Sequence, residues 1–146
     1  LRVRGSGHPK LPRSVPDWNF ACGLPTSDGP PPYLLIADDV LGGFFALNGG
    51  HFAAEGHTVW YLAPDTCEWE DTGNGYTDFL RWCLMGDLEL FYTPYRWRGW
   101  EADAASIQGD QGFSIVPWLI LEGPPVDERS RRPIPLRELY DLFAAL

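Results

Sequence analysis

The sequence predicts an α+β domain: a twisted, mainly antiparallel sheet of five or six strands, covered on one face by helices near 76–92 and 135–145. Three observations carry this. Short apolar and β-branched runs are separated by Gly, Pro and Asp turns. The period changes from 2 to 3.6 at Tyr76. The 146 residues include 16 Gly and 14 Pro, which favours strands joined by turns over a helical bundle. The length suits one domain, residues 1–146, and 45% hydrophobic with 21% charged residues is an ordinary globular balance. Aromatics reach 14%, so the core is expected around flat side chains, with Phe45, Trp60, Phe79, Trp82 and Trp118 among its members.

Leu1, Arg2, Val3 and Arg4 alternate like a strand already under way. With Met85 the sole methionine, the chain is expected to be a fragment of a longer protein, lacking its native N-terminal segment. Residues 5–32 are rich in Gly, Pro and Ser and are expected to be mostly irregular, with Trp18 and Phe20 pinning them to the core. Residues 33–37 form a compact apolar run, a buried strand; 38–43 supply the turn and 44–47 return as the hairpin partner. Residues 58–62 are β-branched and aromatic, 63–66 turn, 67–70 alternate, and 71–75 are expected to break the strand. Tyr76, Phe79, Leu80, Cys83 and Leu84 then mark the stripe of an amphipathic helix. A second helical turn over 88–92 ends before Pro94, and 100–107 read as helical. Residues 113–121 suggest a long final strand with Pro117 at an edge or bulge, and 135–143 a helix with Pro in its first turn.

Net charge is −9, unevenly spread. Residues 1–16 carry Arg2, Arg4, Lys10 and Arg13 and no acid, for +4; residues 17–111 set fifteen acids against Arg81, Arg96 and Arg98, for −12. So acidic a middle repels phosphate backbones, which argues against nucleic-acid binding, and it attracts basic proteins. The longest apolar stretch falls far short of a membrane helix. Cys22, Cys67 and Cys83 lie in no metal-like spacing; Cys67 and Cys83 read as small hydrophobes of a reducing compartment, the cytoplasm.

Motifs for chemistry are sparse. His8, His51 and His57 lie in loops, no serine sits in a GxSxG elbow, and no P-loop or dinucleotide fingerprint occurs. Asp38, Asp39 and Asp65 fall at strand ends near His51 and His57, where a metal could gather, but Asp is also a preferred turn residue. Arg96, Trp97, Arg98 and Trp100 suggest cation–π packing, and Arg129, Arg131 and Arg132 a solvated turn.

Longer runs carry a resemblance. Gly5-Ser6-Gly7 with Pro9, Leu11-Pro12-Arg13-Ser14, Asp17-Trp18-Asn19 and the whole of 33–50 resemble the bacterial domain-of-unknown-function family 2625. So do Ala63-Pro64-Asp65-Thr66, Glu68-Trp69-Glu70, Gly75-Tyr76, Phe79-Leu80, Arg96-Trp97, Gly99-Trp100 and Gly109-Asp110-Gln111-Gly112. The resemblance implies a further N-terminal segment and brings no established activity. The order strand, Ala-Asp-Asp, Gly-Gly, strand, hairpin and aromatic helix more distantly resembles the SUKH superfamily, which implies an immunity-like module that binds a toxin or another partner.

The reading is therefore a non-enzymatic, immunity-like cytoplasmic binding protein that needs no cofactor. Its expected partner is a basic protein such as a toxin, and neither nucleic acid nor membrane. The alternative is a metal-dependent or hydrolytic enzyme using strand-end Asp and His residues. The expected working surface joins Asp38, Asp39 and Asp65 to Glu68, Glu70 and Asp71. Glu68 and Glu70 point to one face of an alternating strand and Trp69 to the other.

Overall fold

The computed structural model describes residues 1–24, 29–52 and 55–146. Its main sheet has five strands in sequential order, every neighbouring pair antiparallel: β1 (Arg2–Val3), β2 (Tyr33–Asp38), β3 (Phe44–Asn48), β4 (Thr58–Leu62) and β5 (Trp69–Gly75). Helix α1 (Val15–Ala21) lies between β1 and β2, and α2 (Tyr76–Met85) and α3 (Leu88–Tyr92) follow β5. After α4 (Trp100–Ser106), β6 (Gln111–Val116) and β7 (Ser130–Pro135) form a separate antiparallel ribbon, and α5 (Leu136–Ala144) ends the chain. This is the expected α+β class.

Alternation along β3 shows how the layers are arranged. Phe44 and Ala46 point into a cluster with Leu35, Leu62, Trp18 of α1 and Leu136, Leu139, Tyr140 and Phe143 of α5. Phe45 points the other way, into a cluster with Val59, Tyr61 and Phe79 of α2. Successive strand residues face opposite sides, so α1 and α5 cover one face and α2 the other. The expectation that helices near 76–92 and 135–145 share one face is corrected here. The sheet's middle strands are apolar at consecutive positions, and such strands need cover on both sides. A third cluster, with Leu41, Tyr92, Trp97, Phe113 and Ile115, joins the ribbon to the sheet's end.

Several elements depart from their sequence reading for identifiable reasons. The 5–32 connection contains α1, whose Ser14 caps it by accepting a hydrogen bond from Asp17 N at 3.1 Å; residues 25–28 lie outside the described residues. Trp18 is buried as expected, but Phe20 is 78% exposed. Asn19, one turn inside the helix, donates to the Leu35 carbonyl at 2.9 Å and accepts from Leu35 N at 2.8 Å. Its amide thereby stands in for a neighbouring strand where β1 has already ended. Residues 71–75 do not break β5. Thr58 pairs with Gly75 and Trp60 with Asp71, and the extra residues form a bulge in which Gly73 takes φ 70°.

The strand expected over 113–121 stops at Val116, before Pro117, which has no N–H for the ladder. Its partner β7 contains Arg131 and Arg132, which were expected in a solvated turn. Arg129 is buried and donates to the carbonyls of Pro117, Trp118, Leu121 and Pro124, holding the 117–124 loop in place. Arg131 lies over the Trp97 ring, 4.9 Å from its centroid. Of the expected core members, Phe45 and Phe79 are fully buried, whereas Trp60, Trp82 and Trp118 are half-buried, Trp82 against the α2-side cluster and Trp60 stacked on Phe52.

Candidate functional site

The Asp38-Asp39 pair at the end of β2 is placed differently from the sequence reading. Both residues were expected on an exposed working surface, but their exposures are 0% and 1%. Asp38 receives three arginines: Arg2 Nε donates to Oδ1 at 2.7 Å, Arg13 reaches Oδ2 at 3.4 Å, and Arg4 Nη2 also donates to Oδ2. The basic first segment therefore neutralises a buried acid of the middle segment. Arg4 and Arg13 lie over the Trp18 ring, their guanidinium carbons 4.3 and 4.4 Å from its centroid. Burial lowers the pKa of both guanidiniums and Asp38 opposes that shift. Arg2 also donates to the Gln111 carbonyl at 2.8 Å, and Arg13 to that of Gly109, so the cluster ties β1 and the segment before α1 to the start of β6.

Asp39 closes the β2–β3 turn. Its Oδ1 accepts from Leu41 N at 2.9 Å and Gly43 N at 2.8 Å. Its Oδ2 accepts from the Tyr61 hydroxyl at 2.9 Å and the Tyr92 hydroxyl at 3.1 Å. A Cβ at residue 43 would collide with Asp39 Oδ2 and Tyr61, so only glycine fits there. Four donors satisfy this carboxylate without solvent, a structural knot that ties two strands and α3 together.

The other expected site residues reach the surface. Asp65 is half-buried and accepts from the Tyr95 hydroxyl at 2.6 Å. Glu68, Glu70 and Asp71 are exposed. Trp69 packs inward against Tyr33 and Phe52, with ring centroids 5.4 and 5.1 Å away, while Glu70 lies on the opposite face, as strand alternation requires. The structure thus brings Asp65, Glu68, Glu70 and Asp71 together along one hairpin and removes Asp38 and Asp39 from it. Among the described residues, no group of three or more His, Cys, Asp or Glu could hold a metal ion.

Beside this hairpin, on the α2 face, lies a cleft of about 300 Å³. Phe45, Tyr61 and Phe79 form its floor, and Trp82 of α2 and Phe91 of α3 form a wall, edge to face at 5.1 Å. β5 supplies the polar rim: Glu70, Asp71, Thr72 and Asn74. Thr72 is held by donating to the Val59 carbonyl at 2.6 Å, and Glu70 accepts from Thr66 at 3.2 Å. No lysine or arginine is among the described residues that line the cleft. An aromatic floor under carboxylates favours cations, because ring faces and carboxylates both present negative potential. Sequence reading missed the cleft because it forms only where β5 and α3 flank α2; the one available signal was the aromatic spacing of Phe79, Trp82 and Phe91.

Burial controls the titrating groups around the site. It raises the Tyr61 and Tyr92 phenols well above their ordinary 10.0, and the Asp39 carboxylate adds to the shift. Burial also raises Tyr95, helped by its hydrogen bond to Asp65, and Tyr140, helped by Tyr33. A phenol whose folded pKa exceeds its unfolded value keeps its proton in the fold after the unfolded chain has lost it. Above about pH 10 these four tyrosines therefore withdraw stability as pH rises. Ultraviolet difference absorbance should show them ionising together, in step with loss of the fold; gradual titration with the fold intact would contradict the burial argument. Burial pushes the Cys22 and Cys83 thiols up to about 11, which leaves them poor nucleophiles at neutral pH.

Fold and site together define an α+β domain with a two-sided sheet, carrying an aromatic cleft whose rim is acidic. The chain belongs to the family described as protein of unknown function DUF2625, whose model matches residues 1–139. It is 39% identical over 141 residues to an uncharacterized protein of Haemophilus influenzae, covering 96% of this chain and 62% of that protein. It is 41% identical over 146 residues to the putative uncharacterized protein YbfG of Escherichia coli, covering 97% of this chain and 63% of that protein. The chain thus spans less than two thirds of the length of these relatives. No solved structure matches it significantly.

Proposed function

We propose that this chain is a non-enzymatic protein-binding module of immunity-like type that docks a basic protein, such as a toxin, in the cytoplasm. The observation that carries the reading is the row of exposed carboxylates Glu68, Glu70 and Asp71, continued by Asp65, on a hairpin within the strongly acidic middle segment. A cationic surface would relieve the mutual repulsion of these carboxylates. Three free cysteines accord with a reducing compartment. No helix among the described residues is long and apolar enough to cross a membrane. The resemblance of the sequence's strand, Ala-Asp-Asp, Gly-Gly, strand, hairpin and aromatic-helix order to the SUKH superfamily supports the same reading.

Charge predicts the kinetics. Association with a basic partner, once captured by pull-down, should slow steeply as salt rises, because exposed charges are screened beyond about 8 Å at physiological ionic strength. A Glu68→Lys, Glu70→Lys variant should associate at least tenfold more slowly with an unchanged circular dichroism spectrum. Association that ignores both salt and the double substitution would remove this hairpin from the interface.

A further inference from the structure

We infer that the cleft beside Glu70 receives an arginine side chain of the partner, its guanidinium plane against the aromatic wall and its N–H edge toward the rim. The inference rests on the binding reading above and names the group that the site recognises. Three features of the cleft select this chemistry.

First, the two sides of the cleft differ. Trp82 and Phe91 offer ring surface, whereas Glu70 and Asn74 on β5 offer oxygen acceptors. A guanidinium is flat and weakly hydrated on its faces and carries five donors around its edge, so it satisfies both sides at once. A lysine ammonium is a compact, strongly hydrated point charge with no flat face to stack, and a quaternary ammonium has no N–H for the rim.

Second, the charge is complementary. Glu70 is exposed and anionic, and its contact to Thr66 is a single hydrogen bond of 3.2 Å, which leaves its second oxygen available to a fork of donors. Third, guanidinium against indole is how this chain packs its own arginines. Arg96 lies 3.4 Å from the Trp100 ring centroid, and Arg4 and Arg13 lie over Trp18. The floor rings Tyr61 and Phe79 are buried in the α2-side core, so the cleft is held open by the fold and needs no rearrangement to admit the side chain.

The test uses the full chain and two small probes: N-acetylarginine N-methylamide and its neutral isostere, the corresponding citrulline derivative. Nuclear magnetic resonance should show the arginine probe shifting the Trp82 indole N–H resonance, assigned with a Trp82→Phe variant. It should bind at least tenfold more tightly than citrulline, and Glu70→Gln should abolish that difference while leaving the spectrum otherwise folded. Equal affinity for the two probes, no shift at Trp82, or full discrimination in Glu70→Gln overturns the inference. Glu68 lies on the hairpin but does not line the cleft, so Glu68→Lys separates the two readings. Capture of a basic partner that is sensitive to Glu68→Lys, with no arginine binding in the cleft, refutes the inference and leaves the binding reading standing. Arginine bound in the cleft, with partner capture indifferent to Glu68→Lys, upholds the inference and removes Glu68 from the interface.

Discussion

Replacing Asp38 by asparagine should destabilise the fold by about 3–5 kcal/mol, the usual cost of removing one partner from a buried ion cluster. The carboxylate has no exposed side-chain area, and it is the shared counter-charge of Arg2, Arg4 and Arg13, whose side chains are 17%, 0% and 11% exposed. Asparagine keeps the shape but leaves three guanidiniums facing one another away from water. Arg4 Nε and Nη1 and Arg13 Nε already find no acceptor among the described residues, so the cluster has nothing in reserve. Against a typical domain stability of about 5–15 kcal/mol, the loss takes a large share. Urea unfolding followed by tryptophan fluorescence should show a lower midpoint with an unchanged slope. Asp71→Asn, on the surface, is the control and should stay within about 0.5 kcal/mol of the parent. A parent-like midpoint for Asp38→Asn would mean that the arginines have another counter-charge.

Phe45→Ala should cost a similar amount, roughly 3–5 kcal/mol, and should also disable the cleft. The ring is fully buried, stacks on Tyr61 at 4.5 Å, and lies 5.1 Å from Phe79 and 6.1 Å from Trp82. Its removal leaves a cavity beneath the floor, into which Tyr61 can tilt and so loosen its bond to Asp39. Phe45→Leu, which keeps most of the volume, should recover much of the stability but not the flat floor. The informative measurement is therefore the pair: unfolding free energy for both variants, and arginine-probe binding for Phe45→Leu. Stability recovered together with undiminished probe binding would show that the floor contributes volume rather than ring surface.

Much of the local structure was legible in the residues themselves. Residues 33–37, 44–47 and 58–62 were readable as strands because their runs are short, apolar and bounded by turn residues, and all three are strands. The 3.6-residue spacing from Tyr76 located α2, although Phe79 is its one fully buried member and Tyr76 and Leu84, at the ends of the stripe, are exposed. The Arg96–Trp100 pairing was legible from adjacency alone. The alternation that turns Trp69 inward and leaves Glu70 in water was also a local property, since strand period depends on nothing distant; Glu68 precedes the strand.

What only the tertiary structure decided lies wherever a residue's role depends on a partner far along the chain. Asp38 and Asp39 have the composition of an exposed turn, and only the approach of Arg2, Arg4 and Arg13 on one side and of Tyr61 and Tyr92 on the other makes them core residues. Asn19 is an ordinary helical polar residue until Leu35 is laid beside it. β7 reads as a charged turn because its apolar signal is weak, and it becomes a strand by pairing with β6. The α+β class could be read from order and spacing, and the family from the resemblance of long residue runs such as 33–50. The division of helices between two faces, and the cleft between β5 and α2, could not, because periodicity reports which residues share a face and is silent on what packs against it.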